Sequence, residues 1–480
     1  MESILSNLML GDPCSATFAR QVKDYISAAE AKIARFDTQI QDLTRLRDQE
    51  RELISALTPL IAPIRKLPVE LLTEIFLLAV DSTTEDWLTH ALLVSQVCAH
   101  WRRVACATPQ LWNGEIPLDL TKERSDVCLA TTKTVFERSA PLSIPILLYD
   151  ELAEASPLAE YIYSLAPRWK SLCWAGSSSR LLALPAGALG SLEKVDLGTT
   201  DLPSSSPIDV FLGAQRLNNV CSYIQSTTFF RMPWWQVITL SLMEDGGPTP
   251  AQRFLDILLQ CSSVVDVFFS RMMPWGEAPA SSASIIPLPR LQNLTLIFGP
   301  HPDQNITPFF TRLALPALTS LTIHSSTGTS WSSADFTQFQ RRSPKVQALA
   351  LEAARLTTES ALALLTEYRH LTDIDLQFCF RRSEPLDLSS VLNWLRYKDI
   401  ASPVPQLRRL SIVDRWIDRL DEAICEGMIL SRWWTDPQLV PQNRARLESL
   451  TISGSRSKLS APFLAKMEQL RAEGLEVTLK

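Results

Sequence analysis

Between Trp169 and Ile452 apolar residues return eleven times in one spacing: a first position, a second three residues on, and a third two after that. Trp169-Leu172-Trp174, Leu192-Val195-Leu197, Leu291-Leu294-Leu296, Leu318-Leu321-Ile323, Val346-Leu349-Leu351 and Leu371-Ile374-Leu376 are clear cases. Leu407-Leu410-Ile412 and Leu447-Leu450-Ile452 end the series, and Leu475, Val477 and Leu479 offer a closing strand. The second and third positions alternate as in a strand, and most steps are 25 to 28 residues, the length of a strand, a helix and two turns. One such unit leaves an apolar edge in water; stacked units share a core. Residues 116–480 are therefore predicted to form an α/β solenoid, with a curved parallel sheet inside and helices outside. Leu142, Ile144, Ile146 and Leu148 alternate in the same way ahead of the first unit, and a proline opens several later ones, at Pro289, Pro316, Pro344 and Pro405. The longer steps to Leu407 and Leu447 mark insertions, which hold Trp394, Trp416 and Trp433-Trp434.

Side chains on either side of the second apolar position must face away from that core. In successive units these include Lys194 and Asp196, Asp266 and Phe268, Asn293 and Thr295, Ser320 and Thr322. Ala348 and Ala350, Asp373 and Asp375, Arg409 and Ser411 continue the face. Such a polar, short-chained surface with few cations suits a protein or peptide, and Asp266, Phe268, Thr322, Asp373, Asp375 and Arg409 are the candidate binding residues.

Residues 1–62 read as a helical, coiled-coil-like segment. Ile26, Ile33, Ile40, Ile54 and Ile61 share one heptad position, and Val22, Ala29, Phe36, Leu43 and Leu57 its partner position. Arg47 and Glu50 interrupt the seam, while Leu46, Leu53 and Leu60 form a neighbouring stripe. The segment either pairs with a second chain or folds back on the helical runs C-terminal to it; the drift of the stripe favours folding back. Pro59 and Pro63 mark the joint.

Residues 63–115 carry two further periodic runs. Leu71, Leu72, Ile75, Phe76 and Ala79 give an apolar helical face starting near Pro68, with Glu70 and Glu74 near its positive end. Leu92, Leu93, Val97, Trp101, Val104 and Ala105 form the covering run, stopped by Thr108-Pro109. Taken in order, Leu67-Pro68, Glu70-Leu71-Leu72, Ile75-Phe76, Val97-Cys98, Trp101-Arg102 and the closing Thr108-Pro109-Gln110-Leu111-Trp112 resemble an F-box-like domain of the fungal type. The Asp81 to His90 segment is longer than the tight turn of a minimal F-box. That resemblance implies docking on a Skp-family adaptor, and through it on a cullin, through Leu67, Pro68, Leu71, Leu72, Ile75, Phe76, Val97 and Trp101. The array, which looks like leucine-rich repeats, would then choose a protein substrate for ubiquitin ligation. A repeat scaffold acting outside ubiquitin ligation is the alternative.

Composition narrows the remaining classes. A net charge of −6 and a pI near 5.6 give no electrostatic case for nucleic acid or anionic membranes as partners. No apolar run reaches membrane-spanning length, and the N-terminus does not resemble a secretory leader. Nine cysteines, an odd number without a C-x-x-C pair, fit a reducing cytoplasmic or nuclear compartment better than a disulfide framework or zinc site. Phosphate loops and nucleophile turns are absent, and His90, His100, His301, His324 and His370 are scattered. No catalytic residue, metal or cofactor is expected; Asp373-x-Asp375, the one acidic pair considered, is read as surface charge.

Overall fold

The computed structural model describes residues 16–120, 126–150, 156–176, 181–185, 187–199, 208–244, 251–271, 284–299, 307–325, 333–353, 357–378, 387–397, 403–414, 420–434, 440–441, 444–453 and 459–479. Cys379 and Trp416 lie outside them.

Helix α1 (Ala16–Leu57) runs 42 residues and has no buried residue. It stops where Pro59 and Pro63 open two short 3-10 turns, Thr58–Ile61 and Pro63–Lys66. Folding back on the next helices is not what is observed: Ile33, Phe36, Ile40, Leu43 and Ile54 are all exposed.

The next module has three helices, α2 (Val69–Ala79), α3 (Trp87–Gln96) and α4 (Ala99–Cys106), closed by a 3-10 turn at Pro109–Trp112. Pro68 sits at the N-cap of α2, just ahead of the helix. The second periodic run breaks into two helices at Cys98, which is extended and accepts the Trp101 backbone N–H at 3.5 Å through its sulfur. Leu72, Phe76, Trp87, Ala91, Val104, Ala105, Leu111 and Trp112 make the core. Two indoles tie it to the backbone: Trp112 donates to the Ala105 carbonyl and Trp87 to that of Glu115, each at 2.8 Å. Glycine is required at 114, where a Cβ would sit 2.4 Å from the Trp87 ring.

Among the described residues beyond 115, fourteen strands form a single sheet, all paired in parallel and in chain order. They are β1 (Ile116–Asp119), β2 (Ile144–Asp150), β3 (Trp169–Gly176), β4 (Lys194–Thr199), β5 (Asn219–Tyr223), β6 (Thr239–Glu244) and β7 (Asp266–Arg271). β8 (Ile286–Pro287) and β10 (Leu313–Ala314) stand aside as a separate parallel pair. The sheet continues through β9 (Asn293–Phe298), β11 (Ser320–Ser325), β12 (Ala348–Ala353), β13 (Asp373–Phe378), β14 (Arg409–Asp414), β15 (Ser449–Ser453) and β16 (Glu476–Leu479).

Register follows the repeat. Leu172, Val195, Val220, Leu240, Val267, Leu294, Leu321, Leu349, Ile374, Leu410, Leu450 and Val477 are successive partners across the strands. Every member of this ladder is buried, as is the row two residues on as far as Ile452, where Ser222 replaces an aliphatic residue and bonds the Tyr223 carbonyl at 3.1 Å. The outer layer is more varied than one helix per unit. Short 3-10 turns at Val210–Gly213 and Trp234–Gln236 serve the early units. The later units use α7 (Ala251–Gln260), α8 (Thr307–Thr311), α9 (Ser333–Arg342), α10 (Thr358–Glu367), α11 (Leu388–Leu395), α12 (Glu422–Arg432) and α13 (Ala461–Ala472). Between module and array, α5 (Asp126–Arg138) gives Val135 to the module core and Phe136 to the array core. Within the array, α6 (Pro157–Ser164) lies between β2 and β3.

Three arginines close helix ends in the preceding unit. Arg168 donates to the carbonyls of Phe136 (3.0 Å) and Leu142, past the end of α5. Arg342 reaches Thr311 O at 2.7 Å and Leu313 O at 2.9 Å, past α8. Arg432, 1% exposed, donates to Leu395 O, Pro403 O and Val404 O at 2.7, 2.7 and 3.0 Å. Burial, and then the charge of Arg444, lower the Arg432 pKa to about 10, so it remains a cation at neutral pH. Of these carbonyls, those of Phe136, Thr311 and Leu395 lie in the last turns of α5, α8 and α11, where a helix cannot pair them within itself.

Two substitutions test this architecture. Leu321→Asp or Leu349→Asp places a charge in the shared core and should cost about 4 kcal/mol or more, with neighbouring units losing protection in hydrogen exchange together. Arg432→Met keeps the volume and strands three buried carbonyls; a loss of about 3 kcal/mol in denaturant unfolding is expected.

Candidate functional site

Strand alternation leaves two side chains per strand on the open face of the sheet, opposite the helices. One row runs Lys194, Asn219, Thr239, Asp266, Asn293, Ser320, Ala348, Asp373, Arg409, Ser449, Glu476. The other runs Asp196, Cys221, Ser241, Phe268, Thr295, Thr322, Ala350, Asp375, Ser411, Thr451, Thr478. Across the two rows the acidic residues outnumber the basic ones, Asp196, Asp266, Asp373, Asp375 and Glu476 against Lys194 and Arg409.

The two alanines of β12 are the smallest pair on this face, and the strands on either side carry longer groups. A depression of about 270 Å³ results, lined by Thr322, Ala350, Asp373, Asp375, Arg409 and Thr451 among others. Four of the six candidate residues are thus brought together: Thr322, Asp373, Asp375 and Arg409. Asp266 and Phe268 are not in it; they lie on β7, separated from β11 by β9, and Asp266 accepts a 2.5 Å hydrogen bond from Asn293.

Charge in the depression is partly used. Asp373 forms an ion pair with Arg409 and accepts from the Thr372 hydroxyl at 2.6 Å. Arg409 is held charged by that hydrogen bond and carboxylate, which raise its pKa further. Asp375 accepts from Gln377 at 3.0 Å on one oxygen, while its buried Oδ1 has no partner among the described residues. The two aspartates are therefore not a free acid pair. One strand position further on, His324 Nδ1 meets Glu352 Oε2 at 2.9 Å, extending the polar surface. Neither residue stands among the sequence candidates, although continuing the two-residue alternation past the repeat places both on this face.

Helical-module candidates divide by exposure. Leu71 (53%) and Ile75 (41%) are open to solvent, and Val97 is exposed too, but Leu72 and Phe76 are buried. Adjacent positions on α2 point 100° apart, so Leu72 and Phe76 fill the module core and cannot also face a partner. Trp101 is half-buried, its ring 4.8 Å from that of Phe76. Pro68 is exposed and Leu67 intermediate. Leu92 and Leu93, expected to cover α2, are themselves exposed; Trp87, Ala91 and Ser95 are the buried positions of α3. An apolar fringe of Leu71, Ile75, Leu92, Leu93 and Val97 remains uncovered.

Among the described residues no group of three His, Cys, Asp or Glu side chains could hold a metal ion, and no helix is long and apolar enough to cross a membrane. The described thiols are protonated at neutral pH where burial is strongest, with Cys261 and Cys425 pushed up to about 12. On the open face, burial and then Asp196 raise Cys173 and Cys221 to about 11.

No protein-family model matches the chain, and no curated protein matches it. Among solved structures, the leucine-rich repeat-containing protein LegL7 from Legionella pneumophila is similar over 55% of this chain and 83% of its own, at 15% identity and a TM-score of 0.32. A TLR13–ssRNA13 complex is similar over 56% of this chain and 40% of the matched chain, at 13% identity and a TM-score of 0.29. Both overlaps are partial and of low identity, and neither carries a ligand over to this chain.

Proposed function

We propose that this chain is the substrate-recognition subunit of a Skp-cullin-F-box type ubiquitin ligase, working in the cytoplasm or nucleus and without catalytic chemistry of its own. Residues 63–115 would dock on the adaptor and residues 116–480 would hold a protein substrate. The observation that carries this is the uncovered apolar fringe on a module whose core is already complete. Exposed apolar patches of this kind mark docking surfaces. Leu71, Ile75 and Val97, with Leu67 and Pro68 beside them, supply it; Leu72, Phe76 and Trp101 support it from beneath.

Substrate contact belongs on the open face around Ala348 and Ala350. Low side chains there admit an extended segment of a partner. The Thr322, Ser411 and Thr451 hydroxyls, without side-chain hydrogen bonds among the described residues, offer both donors and acceptors. The acidic excess favours a basic segment. A ligase receptor acts by proximity, raising the local concentration of target beside the catalytic subunits.

Two measurements test these assignments. Co-purification of a recombinant Skp-family adaptor should be lost in Leu71→Asp/Ile75→Asp, with the melting curve unchanged because both side chains are exposed. Full retention of adaptor would defeat docking through this fringe, whereas weak adaptor binding by the wild-type chain together with a tight partner on the array would leave a scaffold outside ubiquitin ligation as the better account. Asp373→Ser/Asp375→Ser should weaken a captured substrate about tenfold or more without lowering the melting temperature, and binding by the wild-type chain should weaken as salt rises.

A further inference from the structure

Helix α1 exposes Tyr25, Ile26, Ile33, Phe36, Ile40, Leu43, Leu46, Leu53, Ile54 and Leu57, and buries nothing. Such a stripe on a 42-residue helix needs an occupant. We infer that the occupant is α1 of a second copy, lying antiparallel, with the two-fold axis passing between Asp48 and Gln49.

The charges that break the seam choose this arrangement. In a parallel pair each seam residue faces its own counterpart, so Arg47 would meet Arg47 and Glu50 would meet Glu50. In an antiparallel pair the two heptad positions face each other, and shifting the register moves in steps of seven. One register sets Arg47 opposite Glu50 of the other copy, and Glu50 opposite its Arg47. That same register sets Leu43 against Ile54 and Ile40 against Leu57, in both directions. The next two registers set Glu50 against Ile40 or Ile33, and Arg47 against Leu43 or Phe36. Only the matched register buries no charge against an apolar side chain.

The drifting stripe fits as well. Leu46 and Leu53 occupy the position flanking the seam, which in an antiparallel pair lies beside the same position of the other helix. Leu46 of one copy then adjoins Leu53 of the other, so the stripe widens the contact. On the opposite edge Thr44 and Arg51 face each other, both polar. The overlap from residue 40 to 57 spans about 27 Å at 1.5 Å per residue, and twelve apolar side chains from the two copies line it. Among the described residues Arg47 pairs with its neighbour Asp48, at 2.8 Å, an exposed pair that exchanges readily for Glu50 of the other copy.

Sedimentation of the full chain at about 10 μM should give twice the 53.7 kDa monomer mass. Ile40→Asp/Leu57→Asp should return it to monomer while the array melts as before, since α1 contributes no buried residue. Arg47→Glu should weaken the dimer about tenfold by facing carboxylates across the seam, and Arg47→Glu/Glu50→Arg should restore it. A monomeric wild type, or a dimer indifferent to Ile40→Asp/Leu57→Asp, overturns the pairing. Charge reversal without rescue by the double variant overturns the antiparallel register.

Discussion

Neighbouring strands in a sheet sit about 4.8 Å apart, while a helix with its side chains is about 10 Å across. Every unit of this array must reconcile those two widths. Stacking in parallel and in register satisfies the strands, and the array bends so that the wider elements fan out on the outside. The ladder from Leu172 to Val477 is the line along which both demands are met. Because the ladder is fixed on one face, the other face of each strand is released from packing and can carry whatever groups a partner requires.

That division of labour explains how a depression forms without disturbing the core. Leu349 and Leu351 hold β12 in the ladder, so Ala348 and Ala350 can be small at no cost to burial. The neighbouring strands supply Thr322 on one side and Asp375 on the other. The helical module shows the same economy on a smaller scale. Leu72 and Phe76 fix the bundle, and Leu71 and Ile75 on the same helix are spare.

Much of this was legible in the sequence because the repeat couples a spacing to a burial pattern. All eleven units became strands with their second positions buried. What escaped has physical causes. β1 and the pair β8 and β10 are two to four residues long, too short to show a period. The break at Cys98 depends on a sulfur cap, and the apolar residues around it give no hint of one. Leu71 and Leu72 look alike in sequence, and only the placement of α3 and α4 decides which is covered. The open-face rows were readable from alternation, but the depression was not. It arises from contrast among three strands whose residues lie some 25 to 28 positions apart, and the partnerless oxygen of Asp375 is a matter of geometry alone.

The arginine caps make the units unequal partners. Three helix ends are reached by an arginine that belongs to the unit after them, α5 by Arg168, α8 by Arg342 and α11 by Arg432, while Gln340 reaches forward to the Leu364 carbonyl of α10. At α5, α8 and α11 a chain emerging from the ribosome therefore carries a last turn with open carbonyls and completes it only when the next repeat arrives. At those three ends, order of synthesis and order of closure run in the same direction. Excising a repeat that carries one of these arginines would likewise damage the one before it, so these units behave less like beads on a string than like shingles, each covering the edge of the last.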